Sequence, residues 1–186
     1  MRSHILPLYT HVVWLACLPP MAAIDPVKAA KRYKAELCQF YLDLKSWKKF
    51  QSAFPLSWQK LKFDAASKAH VPNERGIYVF VVEAERLGLP PHGYICYVGI
   101  AGKQKGGTLR KRYANYLREA KDAGGRPAVV FMLNNFKDDL FFHFVPIPDA
   151  AIDLEVIESS FINSVAPPVN KGGFQGELSM GKKAAF

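Results

Sequence analysis

Hydrophobic and polar positions along the middle of the chain follow two periods, which predict strands and helices in a definite order. The runs GIYVFVVEA and YICYVGIA are short, apolar and rich in β-branched and aromatic residues, with a Gly- and Pro-containing loop between them. This composition is typical of neighbouring strands, so we expect an antiparallel hairpin with a long connection. Further along the chain, DDLFFHFVPI alternates like a strand and predicts a third one.

In other segments the apolar residues recur every three or four positions, which predicts helices. Residues 25–50 begin with Asp-Pro, which suits a cap and a first helical position, and WQKLKFDAASK further on predicts a second, shorter helix. Thr108 can cap the helix LRKRYANYLREAKD. AVVFMLNNF is compatible with a strand or a helix, and we favour a short helix. DAAIDLEVIESSFINSV is helical until APPVN stops it.

These elements predict an α+β fold, in which a small three-stranded antiparallel sheet is flanked by helices. We expect this core to occupy residues 71–175, with a basic helical extension at 25–70 and a flexible tail at 176–186. The first segment, 1–24, has the basic start and apolar middle of a secretory signal, but proline, tyrosine, threonine and histidine interrupt it. We expect it to be a disordered leader or a misassigned start ahead of Met21, with a true signal as the alternative.

A formal net charge of +9 favours a polyanionic partner, and nucleic acid is the commonest, because each neutralised phosphate releases counterions. The alternative is solubility or weak non-specific attraction. The predicted N-terminal helix carries mostly lysine and arginine on one face, Lys31 and Lys34 among them, so we expect it to grip DNA. Three cysteines without a C-x-x-C pair indicate a reduced, cytoplasmic protein, and the broken N-terminal run predicts no membrane span.

Each strand of the predicted hairpin places a tyrosine beside a glycine. Tyr78 ends the motif that Gly76 opens, GIY, and Tyr97 opens the motif that Gly99 ends, YVG. Tyrosine is a good strand residue in any case, so the pair alone is weak evidence. Polar residues at the ends of the later elements extend the pattern, namely Arg112, Glu158 and Asn170.

Taken together, these motifs resemble the GIY-YIG nuclease superfamily over residues 75–172. The helix of that family opens with a leucine and has an arginine three residues later, as LRKR does here with Leu109 and Arg112. A tyrosine commonly follows this arginine by four positions, and Tyr116 does so. The glutamate of the family precedes a P-x-x-N ending, which corresponds to Glu158 and the segment PPVN that ends at Asn170.

The resemblance implies an endonuclease that hydrolyses DNA phosphodiester bonds with Mg²⁺ or Mn²⁺ as cofactor, RNA being a less favoured substrate. Glu158 is then the metal ligand, Arg112 stabilises the transition state, and Tyr78 and Tyr97 share base and positioning duties. A metal ion and an arginine both neutralise charge on the attacked phosphate. A tyrosine has a pKa near 10, so we expect neighbouring positive charge to depress the pKa of the tyrosine that acts as base.

Several alternatives stay open. Arg110 competes with Arg112, and Glu155 competes with Glu158 from one turn earlier on the same helix. Asn170 completes the expected catalytic set, but it serves equally well as a structural tie to backbone groups. Many relatives carry a lysine where this chain has Ile100, so a catalytically inactive nucleic-acid-binding module is the second interpretation. The cations expected to contact nucleic acid are Lys31, Lys34, Lys103, Lys105, Arg110 and Lys111.

Overall fold

The computed structural model describes residues 43–52, 54–83, 90, 92–103, 106–122 and 124–174. All of them belong to the second of two compact units into which the chain divides, Cys38–Phe186. Four predicted parts lie outside the described residues: the leader, the first part of the basic helical extension (25–42, with Lys31 and Lys34), Lys105, and the tail at 176–186. Among the helices that are described, none is long and apolar enough to cross a membrane.

The described residues form an α+β fold, as predicted, in which helices flank an antiparallel sheet. In chain order the elements are α1 (Leu44–Lys49), β1 (Gln59–Lys62), a 3₁₀ helix (Ala66–His70), β2 (Gly76–Glu83), β3 (Gly93–Ala101), α2 (Leu109–Glu119), α3 (Pro127–Asn135), β4 (Leu140–Pro146) and α4 (Leu154–Val165). The sheet order is β1-β4-β2-β3, and every neighbouring pair is antiparallel. The predicted hairpin is therefore the pair β2–β3, and it lies at one side of the sheet.

The sheet has four strands rather than the three expected, because β1 lies in the segment that we interpreted as a short helix. Lys60 and Lys62 alternate with the half-buried Leu61, and Lys62 pairs with Phe141 of β4. Both lysine Nζ atoms lie over the Phe141 ring, at 4.3 and 4.7 Å from its centroid. A contact across the sheet thus decides the conformation of this segment, which the predictions had placed in the helical extension.

The helix predicted over residues 25–50 does not run continuously through Asp43. That residue has an extended backbone, and its carboxylate accepts hydrogen bonds from the amides of Lys45 and Ser46. A new short helix, α1, therefore begins after it, because Asp43 is a good N-cap. The three helices predicted after residue 107 are confirmed as α2, α3 and α4, and the ambiguous AVVFMLNNF is the one that forms α3.

Both faces of β2 are buried, so the sheet is the middle layer of the fold. Tyr78 and Phe80 point to one face, where they pack with buried residues of α2 and α3. Ile77 and Val79 point to the opposite face, where they pack with buried residues of α4. This alternation follows from the two-residue period of a strand, and it gives the fold a core on each side of the sheet.

Candidate active site

The two tyrosine motifs face each other in the hairpin. Tyr78 of β2 pairs with Gly99 of β3, and a Cβ atom at position 99 would lie 2.5 Å from the Tyr78 hydroxyl oxygen and 2.6 Å from its Cζ. Glycine at this position therefore makes room for the Tyr78 ring. Gly76 is required for a different reason, because a Cβ there would lie 2.1 Å from the carbonyl oxygen of Val145 in the neighbouring strand.

Tyr97 lies on the same face of the sheet as Tyr78. It pairs with Phe80, two positions after Tyr78, and the centroids of the two tyrosine rings are 6.4 Å apart. Tyr97 is only partly buried, whereas the side chain of Tyr78 is 2% exposed. The two phenols predicted to address one place are therefore neighbours, and Tyr97 is the one that solvent or a substrate can reach.

Tyr78 is hydrogen-bonded to a third phenol, since its hydroxyl lies 2.9 Å from that of Tyr116 on α2. Burial raises the pKa of Tyr78 above its usual value of 10; Tyr97 and Glu158 add to this shift, while Tyr116 and Arg112 oppose it. Burial also raises the pKa of Tyr116. The expected depression of a tyrosine pKa is thus not found at Tyr78, because the loss of hydration outweighs the nearby guanidinium.

Arg112 and Glu158 belong to helices that pack on opposite faces of the sheet. Arg112 lowers and Glu158 raises the pKa of Tyr78, so both charges act on the buried phenol. Burial raises the pKa of Glu158 itself; Glu155 adds to the shift, while Lys103, Arg112 and the backbone amide of Ile100 oppose it. Tyr78 and Tyr97 are therefore in contact, and the charges of Arg112 and Glu158 both lie near enough to act on Tyr78.

The two candidate arginines of α2 have different surroundings. Arg110 donates from Nε to the carbonyl oxygen of Val71 at 2.7 Å and from Nη2 to that of Ala69 at 3.2 Å, which ties α2 to the 3₁₀ helix. Arg112 has no hydrogen-bond or ion-pair partner for its guanidinium within the described part of the chain. A half-buried guanidinium with this freedom is the better candidate for a bound phosphate.

The loop after β3 supplies the cation next to Glu158. Lys103 forms an ion pair with Glu155 at 3.1 Å and acts on Glu158. Ile100 is buried against α4 and adds no charge. Lys111, a further cation expected to contact nucleic acid, lies in the first turn of α2, is exposed and donates to the carbonyl oxygen of Gly106 at 2.7 Å.

Asn170 has a structural position. Its Oδ1 accepts a hydrogen bond from the amide of Val98 and its Nδ2 donates to the carbonyl oxygen of Val98, both at 2.9 Å. The side chain is buried, and the neighbouring Val169 donates its amide to the carbonyl oxygen of Cys96 at 3.0 Å. Asn170 therefore fixes the backbone between Tyr97 and Gly99, which agrees with the structural alternative.

The motifs did not point to Arg126, which lies between α2 and α3 at the accessible side of Tyr97. Its Nη1 is 3.4 Å from the Tyr97 hydroxyl, and its guanidinium carbon is 5.8 Å from the Tyr97 ring centroid and 5.5 Å from that of Tyr116. Glu119 holds it through a two-point ion pair. One signal was present in the sequence: Arg112, Tyr116 and Glu119 follow the four-then-three spacing that places side chains on one face of a helix.

Glu158 is the side chain of this site that could contribute a protein ligand to a divalent cation. Mg²⁺ is usually held by one or two carboxylates together with water and substrate phosphate oxygens. Within the described residues there is no group of three or more His, Cys, Asp and Glu side chains that could hold a metal ion. Glu158 is half-buried, whereas Glu155, one turn earlier, is exposed and paired with Lys103. A cleft of about 320 Å³, lined in part by Lys103 and Glu155, opens at the start of α4.

Comparison with family models, with curated proteins and with solved structures finds no match to this chain. The functional argument therefore depends on the motifs and on the geometry described above.

Proposed function

We propose that the protein is a GIY-YIG-type endonuclease that hydrolyses DNA phosphodiester bonds with Mg²⁺ or Mn²⁺. The observation that supports the proposal is that Tyr78 of β2 contacts Tyr97 of β3, while the charges of Arg112 on α2 and Glu158 on α4 both act on Tyr78. Structural aromatic residues alone would account for the tyrosines. They would not account for the half-buried guanidinium of Arg112, which has no partner among the described residues, or for the half-buried carboxylate of Glu158.

The chemistry requires a large lowering of the activation barrier, because uncatalysed phosphodiester hydrolysis is extremely slow. Negative charge develops on the phosphate oxygens during attack. Arg112 binds these oxygens through its fixed fork of N–H donors, which strengthens as the charge develops. Glu158 would hold the divalent ion, which supplies Lewis-acid stabilisation of the same phosphate.

Tyr97 is the better candidate for accepting the proton of the attacking water. It is the more accessible of the two motif phenols, and the guanidinium of Arg126 lies beside its hydroxyl. Tyr78 keeps its proton, because burial raises its pKa, and it acts as a positioning residue. Its hydrogen bond to Tyr116 links β2 to α2, the helix that carries Arg112.

The decisive experiment is a cleavage assay on supercoiled plasmid and on linear duplex, with Mg²⁺, with Mn²⁺ and with EDTA. Glu158→Gln keeps the size of the side chain but removes the carboxylate, so we expect cleavage to fall by at least about 10²-fold while binding in EDTA is retained. Glu155→Gln is the matched control on the same helix, one turn earlier and exposed, and we expect it to cut.

Equal cleavage by wild type and Glu158→Gln would refute the site. A wild-type protein that binds DNA but cuts none of these forms with either metal would instead support the inactive binding module, which the buried Ile100 favours. A single-stranded RNA substrate in the same assay tests whether the enzyme distinguishes the sugar.

A further inference from the structure

Arg126 places a second guanidinium beside Tyr97 and Tyr116. Its side chain is 54% exposed, whereas that of its partner Glu119 is 17% exposed, so the carboxylate lies inward and the guanidinium outward. The positive charge of Arg126 is therefore accessible to a ligand from solvent, although it is paired with Glu119.

The orientation of Arg126 is fixed from several sides. Glu119 Oε1 accepts hydrogen bonds from the Arg126 backbone amide at 3.1 Å and from its Nε at 2.9 Å, and Oε2 accepts one from Nη2 at 2.9 Å. These bonds hold the pKa of Glu119 below its usual value. Nη1 points to the hydroxyl of Tyr97. An arginine held in this way loses little side-chain entropy when it binds an anion, and its remaining N–H groups stay available as donors.

The two guanidinium groups belong to one stripe of α2. Arg112 and Glu119, which holds Arg126, are seven positions apart on one face of the helix, which corresponds to about 10 Å along its axis. Every nucleotide of a strand carries a phosphate. A strand with its scissile phosphate at Arg112 that extends along this stripe would therefore bring another of its phosphates towards Arg126.

We propose that Arg126, oriented by Glu119 and Tyr97, binds a backbone phosphate of the nucleic-acid strand that is cut, other than the scissile phosphate. The contact positions the strand across Tyr97 and does not read its sequence, because phosphates carry no base identity. The inference rests on the proposed function for its choice of a nucleic acid as ligand.

The test measures binding rather than cleavage, with a fluorescein-labelled duplex oligonucleotide in EDTA and fluorescence anisotropy over a range of salt concentrations. The double variant Glu119→Gln/Arg126→Ala removes the guanidinium without leaving a half-buried carboxylate unpaired, and its net charge equals that of wild type. Arg118→Ala is the control, because it removes an exposed cation from α2 that contacts Asn115 rather than the tyrosines. Thermal melting and near-ultraviolet circular dichroism verify that both variants are folded.

We expect the double variant to bind about tenfold more weakly. The slope of log K against log salt should become shallower by about 0.9, the value for one lost phosphate contact to duplex DNA. We expect the control variant to change both quantities much less. Arg126→Gln provides a second test, because its amide can still donate to Glu119 while the positive charge is lost, and it should weaken binding similarly.

Wild-type affinity and slope in the double variant would overturn the inference, as would an equal loss in Arg118→Ala or a wild-type protein that does not bind. If wild type also cuts DNA in the metal-dependent assay, the proposed function stands without the Arg126 contact. A protein that binds through Arg126 but never cuts would retain the inference and refute the nuclease proposal.

Discussion

Replacing Gly99 by alanine tests whether the tyrosine site depends on direct contact between the two hairpin motifs. The added Cβ would lie 2.5 Å from the hydroxyl oxygen of Tyr78, 2.6 Å from its Cζ and 3.0 Å from its Cε2. Because Tyr78 is buried among Phe80, Tyr116 and Phe142, its ring cannot move aside without disturbing them. The substitution therefore forces either a shift of β3 or a displacement of the Tyr78 ring.

The magnitude follows from two opposing effects. Overpacking of a buried site costs about 1–3 kcal/mol of unfolding free energy. Alanine is favoured over glycine inside a strand by about 0.5–1 kcal/mol, and the backbone of Gly99 is not in the left-handed region. The net expectation is a loss of about 1–2 kcal/mol, which lowers the melting temperature by about 2–8 °C for a chain of this length. Displacement of Tyr78 should also break its hydrogen bond to Tyr116.

The assay is thermal and urea unfolding of wild type, Gly99→Ala and the control Gly172→Ala. A Cβ at Gly172 meets no atom within 4 Å, so the control should be neutral or slightly stabilising. In the double variant with Tyr78→Leu, which lacks the colliding ring atoms, the cost of Gly99→Ala should largely disappear. A Gly99→Ala protein as stable as wild type, with an unchanged near-ultraviolet spectrum, would refute the reasoning.

Three other substitutions test separate parts of the structure. Asn170→Ala leaves the buried amide and carbonyl of Val98 without their side-chain partners, so the free energy of unfolding in urea should fall by about 2–4 kcal/mol. A decrease of less than about 0.5 kcal/mol would contradict this expectation. Arg110→Ala should lower the melting temperature, because the Arg110 guanidinium donates to backbone carbonyls. Metal-dependent cleavage at about 20 °C should stay within about threefold of the wild-type rate. Complete loss of cleavage in a folded variant would show that Arg110, rather than Arg112, binds the phosphate. Burial raises the pKa of Glu83, but hydrogen bonds from Lys60 and from His143 at 2.6 Å outweigh it and hold this pKa below 4.5. This stabilisation is present above pH 4.5 and is lost as the pH falls through the lowered pKa, so acidification below pH 4.5 should destabilise wild type more than Glu83→Gln in melting experiments.

Local sequence pattern was sufficient for the elements with a long, regular period. The hairpin, the helix after Thr108, and the helix that Asp153 caps were all predicted, because each has a clear apolar period and a recognisable start. Strand β1 was missed, since four residues give too little periodicity. Its conformation depends on pairing with β4, which lies about 80 positions later in the chain, and no local pattern reveals so distant a partner.

The motif spacing also indicated which side chains to examine, but not how each is held. The order GIY, YVG, arginine and glutamate identified Tyr78, Tyr97, Arg112 and Glu158 as a group. The fold then distinguished the two phenols by burial, since Tyr78 lies beneath α2 and Tyr97 lies at the accessible edge. The fold also distinguished Arg112 from Arg110, because the guanidinium of Arg110 is hydrogen-bonded to carbonyl oxygens of a preceding segment, and only the tertiary structure determines such contacts.

Residue identity and spacing thus established the strands, the helices and the chemical groups, because propensity, periodicity and capping act over a few neighbouring residues. Solvation and contact between distant segments came from tertiary structure alone. Burial is a property of the assembled layers, so it determined that Tyr78 keeps its proton. Only the folding of α2 against the start of α3 brought Arg126 to Tyr97. The two residues are 29 positions apart in the chain, so no local pattern could indicate their contact.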